Sequence, residues 1–168
     1  MPFNIVRGDI TDMNVDAIVN AANSGLLMGG GVCGAIFKAA GADRLQKACN
    51  AIGFCGLGKA VITPGFDLRA KYVIHTVGPI YRQGNDIQEK QLYSCYKNSL
   101  ELAKSYEIKS IAFPLISSGI FGYPKTEALA IAMSAINDFL SGNDMDIYLV
   151  IYDRETFEII KRLYSADK

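Results

Sequence analysis

Two short segments of this 168-residue chain concentrate the groups that could hold a small anionic ligand. Residues 25–34 read Gly-Leu-Leu-Met-Gly-Gly-Gly-Val-Cys-Gly and run into the helical pattern Ala35-Ile36-Phe37-Lys38-Ala39-Ala40. Glycines before a helix let the backbone approach a ligand closely, and the helix start offers unpaired N–H groups and a partial positive charge to an anion. Ile116-Ser117-Ser118-Gly119-Ile120-Phe121-Gly122-Tyr123-Pro124 repeats that chemistry after an apolar run. Neither segment contains Lys or Arg, so phosphate recognition there would rest on oriented backbone N–H groups and helix dipoles. Gly29, Gly31 and Gly34 also satisfy G-x-G-x-x-G. A dinucleotide fingerprint needs its glycines directly after a strand and an acidic residue about 20 positions on. Here the nearest strand pattern ends near Asn20, and Asp43 opens a helical pattern, which argues against a dinucleotide oxidoreductase. The loop lacks a terminal Gly-Lys-Ser/Thr, so it is not a P-loop either.

Two further residue types could do chemistry. The single histidine, His75, is the natural general base near neutral pH. It lies mid-run in Tyr72-Val73-Ile74-His75-Thr76-Val77, however, and is read as a hydrogen-bonded core residue. Cys33, Cys49, Cys55 and Cys95 form no C-x-x-C pair, so no metal site is expected. They are read as reduced thiols of a cytoplasmic protein. No metal or other cofactor is called for.

Strands must end where these loops begin. Strand patterns fall at Phe3–Val6, Ala17–Asn20, Ala60–Thr63, Tyr72–Val77, Ser110–Leu115 and Ile147–Tyr152. Continuous apolar runs such as Tyr148-Leu149-Val150-Ile151 suit strands covered on both faces. Helical patterns fall at Gly34–Ala40, Asp43–Ala51, Asp86–Tyr106, Lys125–Leu140 and Arg154–Tyr164. In the third, Leu92, Tyr96, Leu100 and Ala103 recur at helical spacing. Strands alternating with helices predict an α/β fold: a three-layer α/β/α sandwich around a mixed, mostly parallel sheet of about six strands. One domain covering residues 1–168 is the expected count. With 50% hydrophobic residues the chain can bury a core and is not disordered. Seventeen basic against seventeen acidic residues argue against a nucleic-acid binder. No apolar run is long enough for a membrane helix, and residues 1–7 carry no signal-peptide pattern. Monomer is the default expectation.

Five motifs in order carry a resemblance: Gly8-Asp9-Ile10-Thr11, Val19-Asn20-Ala21-Ala22-Asn23, Gly29-Gly30-Gly31-Val32, His75-Thr76-Val77-Gly78-Pro79 and Ile116-Ser117-Ser118-Gly119-Ile120-Phe121-Gly122. Together they resemble a macro domain, from Phe3 to about Ile160. The resemblance implies ADP-ribose or an ADP-ribosylated protein as partner. It also implies hydrolysis of mono-ADP-ribosyl esters on acidic residues, or of O-acetyl-ADP-ribose. By the same resemblance, Asp9 accepts from the adenine amino group with Ile10 beside it, although an Asp there can also simply cap a turn. Asn23 bonds the distal ribose and holds the scissile end, since an amide donates and accepts without changing charge. Gly30, Gly31 and Val32 line the distal ribose and phosphate. Ser117, Ser118, Gly119, Ile120 and Phe121 form the diphosphate loop, with the Phe121 ring over the distal ribose. Tyr152 occupies a position where some relatives stack an aromatic on adenine; it reads equally as a plain strand-end tyrosine. Asn20 is expected to be a structural turn residue.

Cys33 departs from the pattern. Active relatives often carry Asp there, where it positions or activates water. A thiol, with an ordinary pKa near about 8.5, is a poor general base. Two readings therefore stand: a hydrolase with Asn23 and the Cys33 position at its catalytic end, or a non-catalytic ADP-ribose reader. A nucleophilic Cys33 at a helix start is a third and weaker idea, because no second histidine exists to serve it.

Overall fold

The computed structural model describes residues 3–166. Six strands form one sheet: β1 (Asn4–Arg7), β2 (Ala17–Ala21), β3 (Ala60–Pro64), β4 (Tyr72–Thr76), β5 (Ser110–Phe113) and β6 (Asp146–Ile151). Their spatial order is β1-β6-β5-β2-β4-β3. Every pairing is parallel except that of β3, which runs antiparallel along the edge of β4. The α-helices among the described residues are α1 (Gly31–Ala40), α2 (Ala42–Ile52), α3 (Ile87–Ser105), α4 (Lys125–Leu140) and α5 (Arg154–Ala166). This is the mixed, mostly parallel α/β/α sandwich expected from the alternation of patterns.

Alternation along each strand divides the core in two. Ala17 and Val19 of β2 join the cluster beneath α3, α4 and α5. Ile18, between them, joins the cluster beneath α1 and α2. A central strand buried on both faces therefore carries apolar residues at successive positions, here Ala17, Ile18 and Val19.

Several boundaries differ from the sequence patterns. Helix α1 begins at Gly31, three residues before the predicted start. Glycine is a poor helix interior residue, but at a first turn its freedom is useful: Gly31 enters the helix with φ +57. β5 stops at Phe113 because Pro114 supplies no N–H to a ladder. Asn20 was expected in a turn; it lies inside β2, opposite His75 of β4.

The parallel strands end on a common edge of the sheet. β2 leads to α1 on one face, while its neighbour β5 leads to α4 on the other. Such a divergence opens a crevice between the two connections. Tyr96 of α3, buried beneath the sheet, fixes one wall: its O–H donates to the Pro114 carbonyl at 3.3 Å and accepts from Ile116 N–H at 3.0 Å. Its ring rests on Phe113, with centroids 5.0 Å apart. Tyr96→Phe keeps the ring and strands the buried Ile116 N–H. It should destabilise the protein by about 1–3 kcal/mol in urea titrations.

Candidate functional site

Three connected recesses make up the crevice. At one end, Gly8, Asp9, Ile10, Ala35, Val150 and Tyr152 surround a cavity of about 390 Å³. At the other end, Asn23, Gly29, Gly30, Cys33, Ser117, Gly119, Ile120 and Phe121 surround one of about 290 Å³. Gly31, Val32 and Pro114 belong to both. A third recess carries Ser118, Gly119, Lys125, Tyr152 and Asp153 along the same walls. All the residues singled out from the sequence as site candidates thus line one cleft.

At the first end, Asp9 caps the short 3-10 turn Ile10–Asp12: its Oδ1 accepts from Thr11 N–H at 2.9 Å and Thr11 Oγ1 at 2.7 Å. The capping role and a place in the cleft coexist. Tyr152 stands 77% exposed just after β6, so its ring can cover a flat ligand.

In the middle, the first turn of α1 presents N–H groups that have no intrahelical acceptor. Gly34 lets this turn sit close to the glycine loop, since a Cβ there would meet the Gly29 carbonyl at 2.5 Å. In the facing loop, Ser118 N–H and Oγ both turn back to the Leu115 carbonyl, at 3.3 and 2.7 Å. Among the described residues, the N–H groups of Gly119, Ile120 and Phe121 have no protein acceptor. Ser117 takes a left-handed backbone, φ +67, and its buried Oγ has no partner.

At the second end, both polar atoms of the Asn23 side chain pair with one residue. Oδ1 accepts from Leu27 N–H at 2.9 Å, and Nδ2 donates to the Leu27 carbonyl at 2.7 Å. Cys33, 6% exposed, directs its thiol at the same carbonyl from 3.8 Å.

The sequence model of the Macro domain family matches residues 19–132. A macro domain-containing protein of Methanosarcina mazei is 49% identical over 165 residues, covering 97% of this chain and 88% of that one. The chain belongs to the macro domain family. An O-acetyl-ADP-ribose deacetylase of Salmonella typhimurium is 47% identical over 169 residues, covering 97% of this macro domain and 94% of the relative. Among solved structures, the Oceanobacillus iheyensis macrodomain with ADP superposes with TM-score 0.89 at 44% identity, covering 95% and 87% of the two chains. The Trypanosoma brucei macrodomain in complex with ADP-ribose gives 0.86 at 35% identity, covering 95% and 68%.

Beneath the cleft this macro domain carries a buried polar chain. Asn20 Nδ2 lies 3.1 Å from His75 Nδ1 and 3.7 Å from Cys33 Sγ. Because an amide nitrogen only donates, Nδ1 accepts and the ring proton sits on Nε2, 3.0 Å from Thr63 Oγ1. Burial lowers the His75 pKa to about 4, so the ring is neutral at pH 7. His75 is the structural residue that its mid-strand position suggested, and Asn20 separates it from Cys33.

Sequence reasoning missed two contributors. Pro114 touches every recess, and Lys125, at the start of α4, brings a cation to the rim beside Ser118. Pro114 could have been found as the residue that ends the β5 run, and Lys125 as the first residue after Pro124.

The lowered His75 pKa has a definite sign. Unfolded His75 takes up a proton near 6.5 and the folded ring only near 4, so stability is full above 6.5 and declines as pH falls between them. The loss should be on the order of 3 kcal/mol for a shift from 6.5 to about 4. Denaturant titrations of wild type and His75→Gln across that window should show the loss only in wild type.

Proposed function

We propose that this macro domain binds ADP-ribose along the cleft and hydrolyses acyl esters of its distal ribose. The substrates are mono-ADP-ribosyl esters on acidic side chains, O-acetyl-ADP-ribose, or both. The observation that carries the proposal is the single cleft. An acceptor and an exposed aromatic, Asp9 and Tyr152, stand at one end, unpaired backbone donors in the middle, and Asn23 with Phe121 at the other. The 47% identical Salmonella relative named as a deacetylase and the similar Oceanobacillus macrodomain with ADP support it.

In this reading Asp9 accepts from the adenine amino group beside Ile10, and Tyr152 stacks on the base. The N–H groups of Gly119, Ile120 and Phe121, with the first turn of α1, hold the diphosphate. Lys125 adds a charge at the rim. Gly30, Gly31 and Val32 close on the distal ribose under the Phe121 ring, and Ser117 stays part of the diphosphate loop. Asn23 bonds the ribose and orients a water at the acyl carbon. Water adds to that carbon, and its bond to the ribose oxygen breaks. ADP-ribose leaves with its hydroxyl restored, and the acyl group leaves as the free acid. Backbone donors stabilise the developing charge.

Cys33 supplies neither base nor nucleophile, because its thiol is turned to a carbonyl and its nearest histidine is neutral and behind Asn20. Proton transfer then falls to the phosphate of the substrate itself. That same thiol favours the second reading, a binding module without turnover. One chain supplies every cleft residue named above, and in this reading the protein acts as a monomer. Four free, buried cysteines support a reducing, cytoplasmic setting.

Calorimetry with ADP-ribose, followed by label release from mono-ADP-ribosylated protein, separates the readings. Binding with release is expected, and Asn23→Ala should slow release by roughly 5- to 100-fold, the worth of one or two lost hydrogen bonds to the ligand. Binding with release no faster than in Asn23→Ala would leave the reader module, and no binding would end both. Cys33→Asp restores a carboxylate beside the water and should raise turnover by about tenfold or more. An unchanged rate would show that water is not activated from that position.

A further inference from the structure

Leu26, Leu27 and Met28 run between two side-chain amides. Asn23 pairs with both backbone groups of Leu27, at 2.9 and 2.7 Å. On the opposite side, Gln46 of α2 accepts from Met28 N–H at 2.9 Å and donates to the Leu26 carbonyl at 3.0 Å. Successive residues turn their backbone groups to alternate sides, as in a strand, although the left-handed Leu26 keeps the segment from being a regular one. The segment thus forms the middle of a three-part ladder whose outer members are side chains. Gln46 Nε2 in turn reaches Asn50 Oδ1, one helical turn on, at 2.9 Å.

Beyond these bonds, Leu26 N–H donates to the Asn23 carbonyl at 3.0 Å and the Cys33 thiol reaches the Leu27 carbonyl. Leu26 is its one buried side chain, and it sits at φ +56, a conformation a leucine seldom adopts unless it is held. Leu27 and Met28 point into solvent. Gln46 is not among the residues that line the cleft.

We propose that Gln46 is a positioning residue for Asn23: by clamping Leu26 and Met28 it fixes the Leu27 peptide, which sets the Asn23 amide against the distal ribose. The carbonyl that receives Asn23 Nδ2 is also the one that receives the Cys33 thiol, so the clamp sets both groups at the catalytic end. The proposal rests on the assignment of Asn23 to the distal ribose made above.

ADP, which lacks that ribose, provides the internal reference. Calorimetric Kd values for ADP and ADP-ribose should be measured on wild type, Gln46→Ala, Asn23→Ala and the double variant. Gln46→Ala should leave the ADP Kd unchanged and weaken ADP-ribose by about 5- to 10-fold, the worth of a hydrogen-bonded contact. In the Asn23→Ala background it should do nothing further, because the two residues act through one peptide. Gln46→Glu keeps the acceptor for Met28 N–H but sets a carboxylate oxygen against the Leu26 carbonyl. It should match Gln46→Ala, and it carries the test if the alanine variant does not fold. Equal weakening of ADP and ADP-ribose, no weakening of either, or the same loss with and without Asn23 would overturn the proposal alone. A wild type that does not prefer ADP-ribose to ADP would overturn the functional reading, and the proposal with it.

Discussion

The molecule depends on β2 lying between two parallel neighbours. Because β5, β2 and β4 run the same way, their exits share one edge of the sheet. Because β2 and β5 then send their helices to opposite faces, the edge splits open between them. The crevice follows from connectivity and the handedness of crossovers, before any site residue is chosen. Tyr96 keeps it open by holding Pro114 and Ile116 in place from below.

Given that crevice, a ligand phosphate can be held at almost no cost in charge. The chain carries equal numbers of acidic and basic residues, and neither loop has a cation. Amides already aligned by α1 and by the turn at residues 117–122 replace it. A site made of backbone is insensitive to side-chain substitution but intolerant of added bulk. Gly34 illustrates the intolerance, with the Gly29 carbonyl where its Cβ would stand.

Much of this was legible beforehand, for reasons visible in single residues. The apolar runs around Ile18, Ile74 and Leu149 named the strands, since strands buried on two faces have no polar period to blur them. Four of the five motifs fall on the cleft, from Asp9 to Phe121, while the motif at His75 lies beneath it. What stayed hidden depended on contacts distant in sequence. Asn20 looked like a turn residue because its neighbours are small, and only the register with His75 shows why a strand carries an amide there. Gln46 is one of several polar positions on α2, and nothing near it in sequence sets it apart. Its importance comes from a loop eighteen residues earlier in the chain. The start of α1 was misplaced because glycine propensity describes helix interiors, not helix entries.

The cysteines gather around a single strand. Cys49 lies 3.9 Å from the His75 ring, Cys55 3.9 Å from the His75 carbonyl, and Cys95 donates to the Val77 carbonyl at 3.2 Å. Cys33 reaches the same histidine through Asn20. Burial pushes Cys49 and Cys95 up to about 11 and raises Cys55 as well. Such thiols are closed to alkylating reagents until the surrounding layers part. The protein therefore carries its own set of breathing gauges, three around β4 and one in the wall of the cleft. The order in which they become labelled would trace how the fold opens.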